Sequence, residues 1–470
     1  MREVHVDPIP LERLAALLEP ERAARLRGSA DRAQAMLDGR TVWNLNATAS
    51  GGGVAEMLQA LLAYSRGAGV DTRWLVLDGS GEFFRLTKRL HNLLHGSAGD
   101  GGPLGEEERR LYEQVLADNL PALLQAVRPG DVVLLHDPQT AGLTPGLRAT
   151  GARIVWRSHI GKDTTTDLTE FGWEFLRRYV EQADAVIFSR AAYVPAWVDE
   201  RRVSVIPPSL DPFTAKNGEL SVSQVEAVLD RAGLVRGRRG NPSGSIASNG
   251  VPGVVRSRSG LIEGGQIVPA EASVVLQVSR WDRLKDMAGV LTGFAERLPA
   301  FPDDVHLMLV GPETSGVIDD PEGAEVFEEC RALRLEQPRA SHARIHLCSL
   351  PMDDLEENAY LVNALQRHAS VVVQKSLVEG FGLTVTEPMW KGRPVVASRV
   401  GGIQDQIAHG RSGLLLDDPQ DLDALGQAVE SVLLDGDLAA RLGQGAHERV
   451  RDHYLGDRHL EQYVDLFERL

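Results

Sequence analysis

The sequence predicts an α/β protein built as two doubly wound parallel-sheet domains. Three observations carry that prediction. At 470 residues the chain is too long for one ordinary core. Short apolar runs of buried-strand composition alternate with helical periodicity along nearly all of it. The alternation breaks once, over residues 236–270, where Gly, Ser, Pro and Arg replace any apolar period. Domains are expected at 1–210, with leading helices in 1–40, and at 211–455, with a flexible insert at 236–270 and a C-terminal helix at 456–470 crossing back to the first domain.

Composition narrows the function. With 43% hydrophobic and 25% charged residues the chain reads as a soluble globular protein. Lys and Arg total 50 against 66 Asp and Glu, and the net charge of −16 disfavours nucleic acid or an anionic membrane as a partner. A phosphate site must therefore be locally basic. Cys330 and Cys348 form neither a CxxC nor a disulfide framework, which suits a reducing cytosol. The N-terminal segment has no signal-peptide h-region, and no later apolar run is long enough to span a bilayer, so a cytoplasmic location is expected.

In chain order, residues 10–38 read as leading helices with Leu11, Leu14, Leu17 and Leu18 on one face, and 41–45 as a strand. The loop that follows ends in Gly51, Gly52 and Gly53 before a helix at 54–66. Such a loop lets a phosphate or sugar approach the backbone, although a plain flexible connection has the same composition. It is not a Walker A loop, because no GKS or GKT closes it. A strand at 74–77, helices at 83–95 and 106–127, and a strand at 131–135 lead to His136-Asp137-Pro138-Gln139. The next strand, 153–156, leads to Arg157-Ser158-His159-Ile160-Gly161-Lys162-Asp163. Polar residues just past adjacent strand ends face the ligand crevice of an open α/β sheet, though either histidine alone also reads as a satisfied loop residue. His91 and His95 have HxxxH spacing without the glutamate or third ligand of a zinc site. A strand at 184–188 and the string VIPPSLDP close the first half.

Beyond the insert, whose five arginines read as an anion-binding arm or as a solvated loop, a strand at 273–278 ends in Ser279-Arg280-Trp281-Asp282-Arg283-Leu284-Lys285-Asp286. Arg280 and Lys285 can converge on a diphosphate or form surface salt bridges with Asp282 and Asp286. Strands follow at 305–310, 344–347 and 371–374, then Glu379-Gly380-Phe381-Gly382-Leu383-Thr384-Val385-Thr386-Glu387 opens a helix at 383–390. A glycine-relieved turn at a helix N-terminus is a site for an anion. Glu379 and Glu387 can line one cleft and accept hydrogen bonds from sugar hydroxyls, or be a dipole-favoured acid and a solvated helix residue. Strands at 394–397 and 413–416 and helices from 421 onward complete the second domain.

EGFGLTVTE resembles the E-x7-E element of the retaining nucleotide-sugar glycosyltransferases of GT-B architecture, which has two facing Rossmann-like domains and a cleft between them. HDPQ, WRSHIGKD, VIPPSLDP and SLPMDD are similar to strings of the trehalose glycosyltransferring synthases within that group. The resemblance implies that Glu379 reads the donor sugar, Glu387 holds the ribose, and Arg280 and Lys285 neutralise the diphosphate, which together with His159 are the expected catalytic groups. Gly380, Phe381, Gly382, Leu383 and Leu350 are expected to bind the donor, and Gly51, Gly52, Gly53, His136, Asp137, Lys162 and Asp163 the acceptor. It also implies reversible formation of trehalose from glucose and ADP-, UDP- or GDP-glucose as donor substrate, with front-face retention, domain closure, and no required cofactor or metal. Partners would be small sugars and nucleotides; a homodimer is left open. Sucrose-synthase or glycogen-synthase relatives share E-x7-E and R-x4-K but should lack WRSHIGKD and HDPQ, and a nucleotide-sugar-binding regulator would keep the fold without turnover.

Overall fold

Near-continuous apolar runs form the strands, because helices cover both faces of each sheet and leave no solvated side. The computed structural model describes residues 1–49, 52–237, 255–258, 260–314 and 321–470. It divides into a unit of Met1–Asp211 with Tyr454–Leu470, and a unit of Pro212–His453.

The first unit holds strands β1 (Arg2–Val4), β2 (Val42–Asn46), β3 (Thr72–Val76), β4 (Val132–His136), β5 (Arg153–Ser158), β6 (Ala185–Phe188) and β7 (Val203–Val205). Their order is β1-β3-β2-β4-β5-β6-β7, parallel except for the β1–β3 edge. Leu45, Leu135, Trp156 and Phe188 pack one face against helices that include Gly81–Leu94 and Asp167–Val180, and Val42, Leu134, Val155 and Ile187 pack the other with Leu466 of the C-terminal helix. That helix, Gly456–Phe467, is stitched to the unit by Asp457, which accepts from Arg22 Nη2 at 2.8 Å. From β2 the chain moves to β3 on one side and then to β4 on the other. The winding reverses between β2 and β4, so their carboxyl ends open the crevice where such sheets bind ligands.

The second unit holds β8 (Ser273–Val278), β9 (Val305–Pro312), β10 (Ile345–Leu350), β11 (Val371–Gln374), β12 (Val395–Ser398) and β13 (Leu414–Leu416). They lie in the order β10-β9-β8-β11-β12-β13, all parallel, with the reversal between β8 and β11. Leu307, Leu309, Leu347, Val373 and Val396 lie at the centre of its core.

The expectation of a flexible insert at 236–270 is corrected over its described part. Val255, Ile262 and Val268 are buried, Ile262 bridges antiparallel to Cys348, Ser349 N donates to Leu261 O at 2.8 Å, and Glu263 N donates to Leu347 O at 2.8 Å. The segment covers the exposed edge of β10. Arg256 and Arg258 are no free anion arm either: they pair with Asp353, Asp354 and Glu357, Arg258 Nη2 lying 2.6 Å from the fully buried Glu357.

Candidate active site

The carboxyl ends of β8 and β11 are tied together by crossed charges. Lys285, after β8, reaches Glu379, after β11, with Nζ to Oε2 at 2.5 Å and side chains only 15% and 10% exposed. In the opposite sense Lys375, directly after β11 and 1% exposed, pairs with Asp286. Leu377 N donates to Leu284 O at 2.8 Å and Gln277 Nε2 to Lys285 O at 2.8 Å, so the backbone fixes the same juncture. Asp286 sits at φ 49 and caps the helix Met287–Arg297, accepting from Gly289 N at 3.1 Å. Ser376 Oγ donates to Glu379 Oε2 at 3.1 Å. Arg280 takes another partner, Asp282, at 3.0 Å, and is 56% exposed.

Gly382 caps the helix Leu383–Trp390 at φ 86, a left-handed conformation in which an added Cβ would lie 3.1 Å from Glu379 Cγ and from Ile403. Gln406 Nε2 bonds the carbonyls of Phe381 at 2.5 Å and Gly382 at 3.3 Å, and Gly402 N donates to Gly380 O at 3.1 Å. These contacts occupy the carbonyls of the turn and orient its peptide planes. Thr384 Oγ1, in the helix's first turn, is buried without a hydrogen-bond partner among the described residues. Glu387 is no solvated helix residue: it is 5% exposed, its Oε2 accepts from Gln366 Nε2 at 3.1 Å, and its Oε1 lies 3.5 Å from Lys216 Nζ. Lys391 underlies it, donating to Glu387 O, to Gln366 Oε1 at 2.7 Å and to Asn217 Oδ1, and burial pushes its ammonium down to about 7. Leu350 ends β10, and its carbonyl accepts from Glu313 N at 2.8 Å.

In the first unit β4 and β5 deliver a histidine pair. His136 Nδ1 lies 3.0 Å from His159 Nε2, and His136 Nε2 lies 3.2 Å from Asn44 Oδ1. Asp137, at φ 63, accepts from His159 N at 2.7 Å through Oδ1, while its own carbonyl accepts from Trp156 Nε1 at 3.1 Å. Burial, reinforced by the Arg157 guanidinium, lowers His136 to about 3 and takes His159 well below the usual imidazole range; burial raises the Asp137 carboxyl to about 7. Arg157 is fully buried and bonds His459 Nε2 at 2.7 Å, Ile206 O at 3.0 Å and the Tyr463 hydroxyl. Lys162 lies against Gly96, where an added Cβ would come within 2.6 Å of its Nζ, and Asp163 pairs with Arg190 at 2.8 Å. Gly52 caps the helix Gly53–Gly67 at φ 106; Gly51 lies outside the described residues. Among the described residues no cluster of three His, Cys, Asp or Glu side chains is placed to hold a metal ion.

Residues 44–195 match the family described as trehalose synthase, N-terminal domain, and residues 266–449 match glycosyl transferases group 1. A trehalose synthase of Pyrococcus horikoshii is 34% identical over 463 residues, covering 98% of this chain and 96% of its own. The chain belongs to the trehalose synthase family. Another member, from Rubrobacter xylanophilus, is 34% identical over 436 residues, covering 92% of this chain and 91% of its own. An α,α-trehalose-phosphate synthase (UDP-forming) from Burkholderia vietnamiensis matches with a TM-score of 0.67 at 15% identity, covering 92% of this chain and 99% of that one. That likeness gives the fold, which is GT-B. As a trehalose synthase family member the chain is a glycosyltransferase whose chemistry concerns trehalose. No helix among the described residues is long and apolar enough to cross a membrane.

Within this family member, Lys285, Glu379, Gly380, Phe381 and Gly382 share one juncture with Lys375 and Ser376, while Arg280 is directed to Asp282. His136, Asp137 and His159 form one cluster, and Lys162 and Asp163 engage other partners. Lys375, Ser376, Gln406, Asn44 and Lys216 escaped the sequence reading. Lys375 and Ser376 stand directly past a strand end, the signal that marks HDPQ.

Proposed function

We propose that the chain catalyses trehalose + nucleoside diphosphate ⇌ nucleoside-diphosphate glucose + glucose, with retention at the anomeric carbon. The observation that carries this is the Lys285–Glu379 pair at the β8/β11 switch point, a cation beside a carboxylate where such sheets hold ligands. Lys285 and Arg280 are assigned to the diphosphate, the turn at Gly382 and Leu383 with the unpartnered Thr384 hydroxyl to its oxygens, Glu379 to the sugar hydroxyls and Glu387 to the ribose. The buried neighbours of Glu387 hold its carboxylate in place for two vicinal hydroxyls.

In the direction of synthesis, the bond from the anomeric carbon to the phosphate oxygen breaks, and negative charge grows on the diphosphate. Lys285 is placed to stabilise it most in the transition state. The acceptor oxygen bonds the same face of the anomeric carbon, and its proton passes to the departing phosphate oxygen. His159, Asp137, Lys162, Asp163 and the Gly52-Gly53 turn of the first unit are assigned to the acceptor, and the buried His136 to it through His159. A neutral imidazole at His159 suits that task, since it orients a hydroxyl by a hydrogen bond and adds no charge.

The test is to incubate the protein with trehalose and ADP, UDP or GDP in turn, with and without added magnesium, and assay nucleotide-glucose and free glucose. Both products in equal amounts, with α-configured nucleotide sugar by NMR, are expected. Bound nucleotide without either product would overturn the reading.

A further inference from the structure

A hydrogen-bond chain of fixed direction runs through the first unit from His159 to a backbone carbonyl, and its far end leaves no chemical choice. The Val42 carbonyl can only accept, so the Thr72 hydroxyl, 3.2 Å away, commits its proton there. With that proton engaged, Thr72 Oγ1 can only accept from Asn44, and at 3.4 Å, the longest link, it meets the amide Nδ2. The Asn44 carbonyl oxygen is thereby turned to His136 Nε2, at 3.2 Å, which must donate. His136 is 1% exposed with the Arg157 charge beside it, so its ring is neutral and carries that single proton. Its Nδ1 is then a lone pair and accepts from His159 Nε2–H at 3.0 Å. Burial, the Arg157 charge and His136 hold His159 well below the usual imidazole range, so it too is neutral with its one proton on Nε2, and Nδ1 is left bare.

Position matters as much as direction. Val42, Asn44, Thr72 and His136 are buried, whereas His159 is half-buried. Its backbone is held by Asp137 Oδ1 at 2.7 Å, and no hydrogen bond to its Nδ1 is present among the described residues. The one unspent group of the chain thus stands at the carboxyl end of β5, beside the switch point.

We propose that Thr72 and Asn44 are positioning residues that act through His136 to hold His159 as its Nε2–H tautomer, so that Nδ1 is presented as a hydrogen-bond acceptor to a sugar hydroxyl. The sugar in that statement rests on the function proposed above; the tautomer does not. A hydroxyl bonded to this nitrogen gives up its proton to the bond and keeps its oxygen lone pairs turned away from the ring. The other tautomer would donate to the hydroxyl oxygen and engage those lone pairs.

The experiment is nitrogen-15 NMR on the full chain labelled at histidine, with the His159 signals assigned by their loss in His159→Gln. The expected result is an unprotonated Nδ1 and a protonated Nε2 on His159. Thr72→Val, which removes one buried hydroxyl, should release the Asn44 amide, give mixed His159 tautomers and lower kcat about tenfold. Thr72→Ser keeps the hydroxyl and should restore both. A protonated His159 Nδ1 in the unmodified chain, or a Thr72→Val protein with unchanged tautomer and kcat, would overturn the proposal. Trehalose turnover with a protonated Nδ1 sinks this proposal alone, whereas a bare Nδ1 in a chain that makes no trehalose sinks only the function.

Discussion

Lys285→Met is the substitution that separates a catalytic cation from a structural one. Methionine keeps the packing of the stem and removes the charge. It removes the ammonium paired with Glu379, a carboxylate only 10% exposed to which Ser376 Oγ also donates at 3.1 Å. Breaking a fully buried pair costs about 3–5 kcal/mol; this one retains some solvent, so about 1–3 kcal/mol of the second unit's stability should be lost. The catalytic effect is larger. A cation about 4 Å from a developing unit charge, at an effective dielectric of about 20, stabilises it by about 4 kcal/mol, or about a 10³-fold change in rate. Initial rates of nucleotide-glucose formation from trehalose, on protein checked for folding by thermal melting, measure this. The double variant Lys285→Met with Glu379→Gln removes both charges; it should recover much of the lost stability and none of the activity. A folded Lys285→Met protein that turns over within about threefold of the unmodified chain would refute the role given to Lys285.

The remaining predictions concern pH and backbone. Lys391 is lowered to about 7 from 10.5, so the folded second unit binds fewer protons than the unfolded chain between those values. Its stability should rise with pH across that window and be flat in this respect below it, and Lys391→Met should abolish the slope in denaturant unfolding at pH 7, 8.5 and 10. Asp137 is raised to about 7 from 3.8, which gives the opposite sign: the stability it contributes is present below about 3.8 and lost as pH rises through about 7. Asp137→Asn, which keeps the acceptor for His159 N, should therefore melt higher than the unmodified chain at pH 8 and not at pH 4. Gly382→Ala places a Cβ at φ 86 and 3.1 Å from Glu379 Cγ, so it should cost about 1–2 kcal/mol in stability and displace the carboxylate. Loss of nucleotide-glucose binding beyond that stability change, read by titration calorimetry, is the expected signature.

The two sheets were legible because doubly wound strands are contiguous apolar runs, as at Val371–Gln374 and Val305–Pro312. β1 was not, since Arg2–Val4 has no apolar run and exists only by pairing with β3. The described part of the insert went the same way. Val255, Ile262 and Val268 follow no period, and the sheet edge that Ile262 covers is recognised through backbone groups that leave no mark in the sequence. EGFG stood out because its glycines relieve a turn between an apolar strand and a helical period, and the left-handed Gly382 explains why the second glycine is there. Asn44 stayed invisible for a physical reason: a polar residue inside a strand reads as one facing solvent, whereas this one is buried and bonded to His136. Arg157 was placed in a loop, yet β5 runs through Ser158 and the guanidinium is fully buried.

The charges at β8 and β11 bear on how a ligand is chosen. Each cation there already has a carboxylate: Lys285 with Glu379, Lys375 with Asp286 and Arg280 with Asp282. An unpaired basic cluster would hold any phosphate, but here an anion must compete with acids in place. A free nucleoside diphosphate that draws Lys285 away takes one donor from Glu379, only 10% exposed, and supplies none in return. A nucleotide sugar does not, because its hydroxyls can donate to Glu379 while its diphosphate accepts from Lys285. On this argument the glucosyl group contributes through the carboxylate it satisfies, about 1.5–3 kcal/mol for hydrogen bonds to a charged group, or about ten- to a hundredfold in Kd. Calorimetric titration of the same chain with a nucleoside diphosphate and with its glucose conjugate measures the difference directly. In Glu379→Gln the preference should shrink, because a neutral amide gains less than a carboxylate from the sugar's hydroxyl donors. Equal affinities in the unmodified chain would mean that Glu379 does not face the sugar.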